Sequence, residues 1–174
     1  MQLDSLPAQM LLAAARQAGS VSELRCLALL ARASAGMVIQ AAMQRDLARS
    51  GLTEPGFGIL SVLLAQDPAA VLRSDLAVAA GLSPMRTDDA LTRLEMSRLV
   101  QRHRDADDRR LVWLRLTGAG RSQITDALQR YVAGTALVTE SLNEEELNTS
   151  IEISAKLREG AARLSGGALT SIVK

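Results

Sequence analysis

Leu82-Ser83-Pro84-Met85-Arg86-Thr87-Asp88-Asp89-Ala90-Leu91-Thr92-Arg93-Leu94-Glu95 decides the fold, together with the segment that follows it to Leu116. That segment reads Leu99-Val100-Gln101-Arg102-His103-Arg104, then Asp105-Ala106-Asp107-Asp108-Arg109-Arg110, then Leu111-Val112-Trp113-Leu114-Arg115-Leu116. Ser83 is a good N-cap, and Pro84 follows at the first helical position, where its missing N–H costs nothing. Ala90, Leu91 and Leu94 share one side of the resulting helix with Thr87 at its edge; Met85, Arg86, Asp89 and Thr92 share the other. Two strands follow, around 99–104 and 111–116, joined by a turn carrying three Asp and two Arg. A helix with one docking face and one presented face, beside a basic hairpin, predicts a winged helix-turn-helix. The usual work of that arrangement is reading duplex DNA.

Outward from this centre, the chain of 174 residues is long enough for one good core with an appendage. Hydrophobic residues make up 48% and aromatics 2%, so the core is built from Ala, Leu and Val, which favours helices. The net charge of +1 argues neither for nor against nucleic acid, but its distribution is uneven. Residues 71–121 hold ten Arg against seven acids, whereas residues 122–174 hold five bases against seven acids. A single Cys, Cys26, excludes an internal disulfide and fits a reducing compartment. Asp4 and Arg16 argue against a signal peptide, and no uncharged run reaches the roughly 18 residues of a membrane span. The expectation is a cytoplasmic protein that does not engage a membrane.

Before the central segment, residues 5–18 read as a short helix capped by Asp4 or Ser5. Ser20 and Glu23 are spaced as a capping box for a long helix ending near Ser50-Gly51. That helix is apolar on more than one face, which calls for partners on several sides; a second subunit and burial within the monomer both satisfy it. Thr53 caps the next helix, in which Gly56 and Gly58 are expected to weaken the first turns. Residues 73–80 form the first helix of the helix-turn-helix. After the wing, Thr117 caps a helix to about 138 with Ile124, Leu128, Tyr131 and Val132 inward. Asn143 and Glu146 form a capping-box pair for a last helix with a stripe of Leu147, Ile151, Ser154 and Leu157. The central basic module, flanked by helices from both ends, suggests that the ends form a separate dimer-forming layer.

Leu52-Thr53, Leu76-Ala77, Leu94-Glu95, Leu99-Val100, Arg102, Asp108-Arg109-Arg110 and Leu116-Thr117 with Gly120 resemble the MarR family of bacterial transcriptional regulators. The resemblance covers about residues 23–160. It implies a mainly α fold with a small β-wing, in a single domain over 1–174. A winged helix-turn-helix lobe at about 52–116 would be flanked by N- and C-terminal dimerisation helices over 5–50 and 117–164. It further implies a homodimer that binds double-stranded DNA at a pseudopalindromic operator, most often as a repressor. Many members release DNA on binding a small aromatic anion, and some respond to oxidation of a Cys. Residues 1–20 extend beyond the usual start and read as an added dimerisation element.

The candidate DNA-binding residues are Arg73, Ser83, Met85, Arg86, Asp89, Arg109 and Arg110. Arg86 suits guanine or phosphate, and Arg73 at the start of its helix suits the backbone. Ser83 can cap its helix and touch phosphate. One of Arg109 and Arg110 is expected in the minor groove and the other in an internal pair with a wing Asp, with Arg109 favoured at the tip. Arg93 is expected in a structural ion pair. Asp88 and Asp89 depart from the family, where Thr and Arg are frequent. They fit either the positive end of the helix dipole or, for Asp89, a cytosine amino group. Loss of DNA reading in favour of a protein–protein adaptor is the alternative function that these acids suggest. Cys26 is the redox candidate, against the commoner reading of a small buried apolar residue. His103 is the chain's one His, read as exposed or near phosphate on a wing strand. An effector would lie in a cleft between the dimer layer and the DNA lobe, lined mainly by aliphatic side chains, with Arg25 or Arg32 as anion partner. No nucleophile motif, phosphate loop or metal-ligand spacing is present, so neither catalysis, a cofactor nor a metal is expected.

Overall fold

The computed structural model of the protein describes residues 4–105, 108 and 111–165. They fall into two compact units, one through Val132 and one from Ala133 onward. The first unit opens with α1 (Leu6–Gln17), which packs on the long α2 (Ser20–Arg49). Then come α3 (Glu54–Gln66), β1 (Val71–Leu72), α4 (Arg73–Ala79), α5 (Pro84–Met96), β2 (Val100–Arg104) and β3 (Val112–Leu116). Helix α6 (Gly118–Thr139) crosses from the first unit into the second, and α7 (Glu144–Ser165) lies in the second.

The winged lobe closes around one core. Ile59, Leu60 and Leu63 of α3, Leu76 of α4, Ala90, Leu91 and Leu94 of α5, Leu114 and Leu116 of β3 and Ile124 of α6 are all buried. The period-3 and period-4 spacing in α5 places Thr87 on the same inward face, where its hydroxyl donates to the Ser83 carbonyl at 3.0 Å. The sheet is antiparallel in the order β1–β3–β2, with Val100 opposite Leu116 and His103 opposite Trp113. Strand β1 was not expected. Two residues are too few to show a period, yet Val71 pairs with Leu114 and completes the sheet.

Helix ends explain much of the local order. Thr53 Oγ1 accepts from Gly56 N at 3.2 Å, and Gly56 is buried with Leu94 close beside it, so the glycine that weakens the helix intrinsically admits a neighbour. After α5, the Leu99 amide donates to the Leu94 carbonyl and the Arg98 amide to Glu95, a Schellman stop. That stop places Arg98 at φ 57, a conformation usually left to glycine. Thr117 then clasps the turn: its hydroxyl lies 2.8 Å from the Arg98 carbonyl and accepts from Gly120 N at 2.9 Å. Gly120 runs so close to the strand that a Cβ there would lie 2.0 Å from the Leu99 carbonyl oxygen.

Two expected features are corrected. The Ser20–Glu23 capping box does not form, because Gly19 occupies the N-cap and the Glu23 carboxylate accepts instead from Arg16 Nε at 2.9 Å. The guanidinium holds the Glu23 carboxyl below its ordinary pKa, chiefly through this hydrogen bond. Val132 is exposed, not inward, and Tyr131, also expected inward, is 36% exposed. By contrast, the Asn143–Glu146 capping box forms reciprocally, with both bonds at 2.9 Å.

Helix α2 differs from the lobe. By length and composition alone it could cross a membrane, and no residue of its most apolar 18-residue stretch is buried in the protomer. Leu24, Leu29, Met37 and Val38 are among its exposed side chains. Such a helix is also what an apolar association surface requires.

Candidate nucleic-acid interface

Helix α4, the turn at Gly81 and helix α5 form the helix-turn-helix. The turn is a second Schellman stop: Leu82 N donates to Ala77 O at 3.0 Å, with Gly81 at φ 64. Ser83 occupies the N-cap of α5, and its Oγ accepts from Arg86 N at 3.4 Å. With Thr87, Ala90, Leu91 and Leu94 packed inward, the opposite face is left to solvent. It carries Met85, which is 74% exposed, and the exposed Arg86, Asp89 and Thr92. The predicted division of this helix into a docked and a presented face is therefore present.

The two neighbouring acids of α5 have different surroundings. Asp88 accepts from Arg73 Nε at 3.0 Å and also from its Nη2, an ion pair that ties the first residue of α4 to α5. Asp89 has no ion-pair partner among the described residues. Neither acid lies in the first helical turn, so the dipole reading of the pair is weak. Arg93, expected in an ion pair, has none among the described residues; Glu95 is taken by Arg102 Nε at 2.7 Å. This second pair fastens β2 to α5.

At the base of the wing, Asp105 Oδ2 accepts from Trp113 Nε1 at 3.1 Å and Asp105 Oδ1 from Asp108 N at 3.3 Å. Asp105 thus organises the turn. Arg109 and Arg110 lie outside the described residues. His103 is exposed on β2 beside Arg102 and Arg104. Cys26 is a free thiol, half-buried on α2. Among the described residues no cluster of His, Cys, Asp or Glu could hold a metal.

A cleft of about 560 Å³ lies between α2 and the helix-turn-helix within the first unit. Met43 and Ile39 of α2, Phe57 of α3, Leu82 just before α5, Arg86 of α5 and Tyr131 of α6 line it. Phe57 and Tyr131 are the chain's single Phe and single Tyr, and their rings stack with centroids 5.4 Å apart. The expectation of a cleft with aliphatic walls and Arg25 or Arg32 is thus revised: an aromatic pair lines it, and the arginine present is Arg86. Phe57 and Tyr131 are 74 positions apart, and only the fold brings them together.

The architecture matches solved structures closely. AbsC, a MarR family transcriptional regulator from Streptomyces coelicolor, superposes with a TM-score of 0.66 at 27% identity, covering 80% of this chain and 93% of AbsC. In fold and in sequence the chain is similar to MarR family transcriptional regulators. The proteins that it matches are transcriptional regulators and not enzymes. The S. aureus MepR structure, a complex with DNA, shares the MarR fold with a TM-score of 0.62 at 21% identity, covering 71% of this chain and 93% of that one. A curated relative, the uncharacterized HTH-type transcriptional regulator YwhA of Bacillus subtilis (strain 168), is 38% identical over 79 residues. That match spans 44% of this chain and 55% of YwhA, so the chain matches about half the length of this curated relative. No family model matches the sequence.

Proposed function

We propose that this protein is a MarR-family regulator, homodimeric and sequence-specific in binding DNA, acting in the cytoplasm as a repressor that a small molecule releases from its operator. The observation that carries the proposal is α5: a capped helix whose apolar face is buried in the lobe and whose other face offers Met85, Arg86 and Asp89 to solvent. Arg86 would meet guanine or phosphate, Met85 a thymine methyl, and Asp89 a cytosine amino group. Arg73 and Ser83 would meet the backbone, and Arg109 and Arg110 would reach the minor groove from the wing. MepR supports this reading as a protein of the same fold solved with DNA.

The exposed apolar residues of α1, α2 and α7 support a second copy as partner, with two recognition helices about one helical turn of DNA apart. The cleft beside Arg86 supports effector control. A ligand between α2 and the recognition helix would favour a lobe position in which both half-sites cannot be met together. Asp89, on the presented face with no ion-pair partner among the described residues, favours a second reading, a winged-helix adaptor that binds protein instead of DNA.

A gel shift with the upstream DNA of the protein's own gene, titrated with salt and unrelated competitor, tests the proposal. A shift that survives competition at physiological salt and is lost on replacing Arg86, Arg109 and Arg110 by Ala is expected. No shift with that DNA or with any fragment of a genomic library would overturn it in favour of the adaptor.

A further inference from the structure

Arg73 and Asp88 are joined across 15 positions of sequence, on the surface that the proposed function turns toward DNA. Both side chains are close to half-exposed, at 43% and 47%. An ion pair this exposed contributes little to folding. Its geometry has a sharper effect on Arg73. Both Nε and Nη2 point at one oxygen, Asp88 Oδ1. A guanidinium has five N–H donors, so about three remain for another acceptor, with their direction set by the carboxylate. Both residues line a cavity of about 400 Å³ together with Leu72, Ala77 and Leu111, where the start of α4, the start of α5 and the root of β3 converge.

We infer that Asp88 is a positioning residue that acts through Arg73 to set the ratio of operator binding to non-specific DNA binding. This inference rests on the DNA-binding reading above. In a loose, salt-driven encounter with any duplex, affinity follows the number of phosphates neutralised. There Asp88 competes with phosphate for Arg73 and repels it, which keeps the non-specific complex weak. In the docked operator complex Arg73 is already aimed, so it gains a phosphate contact without first ordering a long side chain. For random-sequence duplex, where no base is read, Asp89 supplies the internal control: it carries the same charge on the same helix without gripping Arg73.

The test is a double-mutant cycle on full-length protein, read by fluorescence anisotropy as a function of salt. The probes are a short duplex of random sequence and the upstream fragment protected by the wild type. Asp88→Asn is expected to tighten random-duplex binding and to steepen its log–log salt slope by about one. The ratio of specific to non-specific affinity should fall about three- to tenfold. In an Arg73→Ala background the same change should leave the slope where Arg73→Ala alone puts it, and Asp88→Glu should restore wild-type behaviour. An equal effect of Asp88→Asn with and without Arg73, or a change in random-duplex binding matched by Asp89→Asn, would overturn the inference by showing that only net charge matters. Failure of every variant and of the wild type to bind either duplex would overturn the DNA reading itself, and this inference with it. Circular dichroism of each variant separates these outcomes from loss of folding.

Discussion

The winged lobe and the long helix α2 use the same apolar alphabet in opposite ways. In the lobe, Ile59, Leu60, Leu76, Leu114 and Ile124 are fully buried. In α2, Val38 is 65% exposed, and Leu47 alone is buried in the whole helix. The second unit resembles α2: α7 has a well-formed cap, yet Ile151, Ile153 and Leu157 are exposed. The lobe satisfies its own burial within one chain, whereas these helices leave apolar surface that needs another surface. On the proposed function, a regulator divided in this way would keep its DNA-reading body rigid while ligand and partner act on its flanking helices.

The largest effect should come from the lobe. Gly120→Ala places a methyl group against the Leu99 carbonyl and is expected to cost about 3 kcal/mol by urea unfolding. Full stability in that variant would mean that the packing of the first turn of α6 on the turn between α5 and β2 yields easily, and the contrast with α2 would fail on the lobe's side. Next is α2. Val38→Asp should leave the lobe's circular dichroism intact while weakening self-association about a hundredfold, equivalent to about 2.7 kcal/mol. Sedimentation equilibrium over a range of concentrations reads this directly, and an unchanged association constant would remove Val38 from the interface. The smallest effect is a gain: Arg98→Gly should stabilise the lobe by about 0.5–1 kcal/mol, since a left-handed backbone costs arginine more than glycine. A loss of stability there would show that the Arg98 side chain contributes more than its backbone costs.

Local chemistry made the central helix legible. Ser83, Pro84 and the spacing of Thr87, Ala90, Leu91 and Leu94 each pointed to the same start and the same buried face, and the structure has both. The Asn143–Glu146 box was legible for the same reason. Where two local partners competed, sequence misled: Glu23 had the spacing for a cap but lies within reach of Arg16 from the preceding helix. Features assembled from distant positions were not legible. The pairing of Val71 with Leu114, the Arg73–Asp88 bridge and the Phe57–Tyr131 stack all depend on tertiary approach. No periodicity within one helix could have announced them.

The hydrogen bond from the Trp113 indole to Asp105 has an optical consequence. The chain has one tryptophan, so all of its indole emission arises at the root of the wing, in register opposite His103. Any event that pulls Asp105 away alters the immediate surroundings of that single fluorophore. The protein therefore carries its own unlabelled reporter at the root of the wing, and wing movement can be followed in real time in the same sample used to measure affinity.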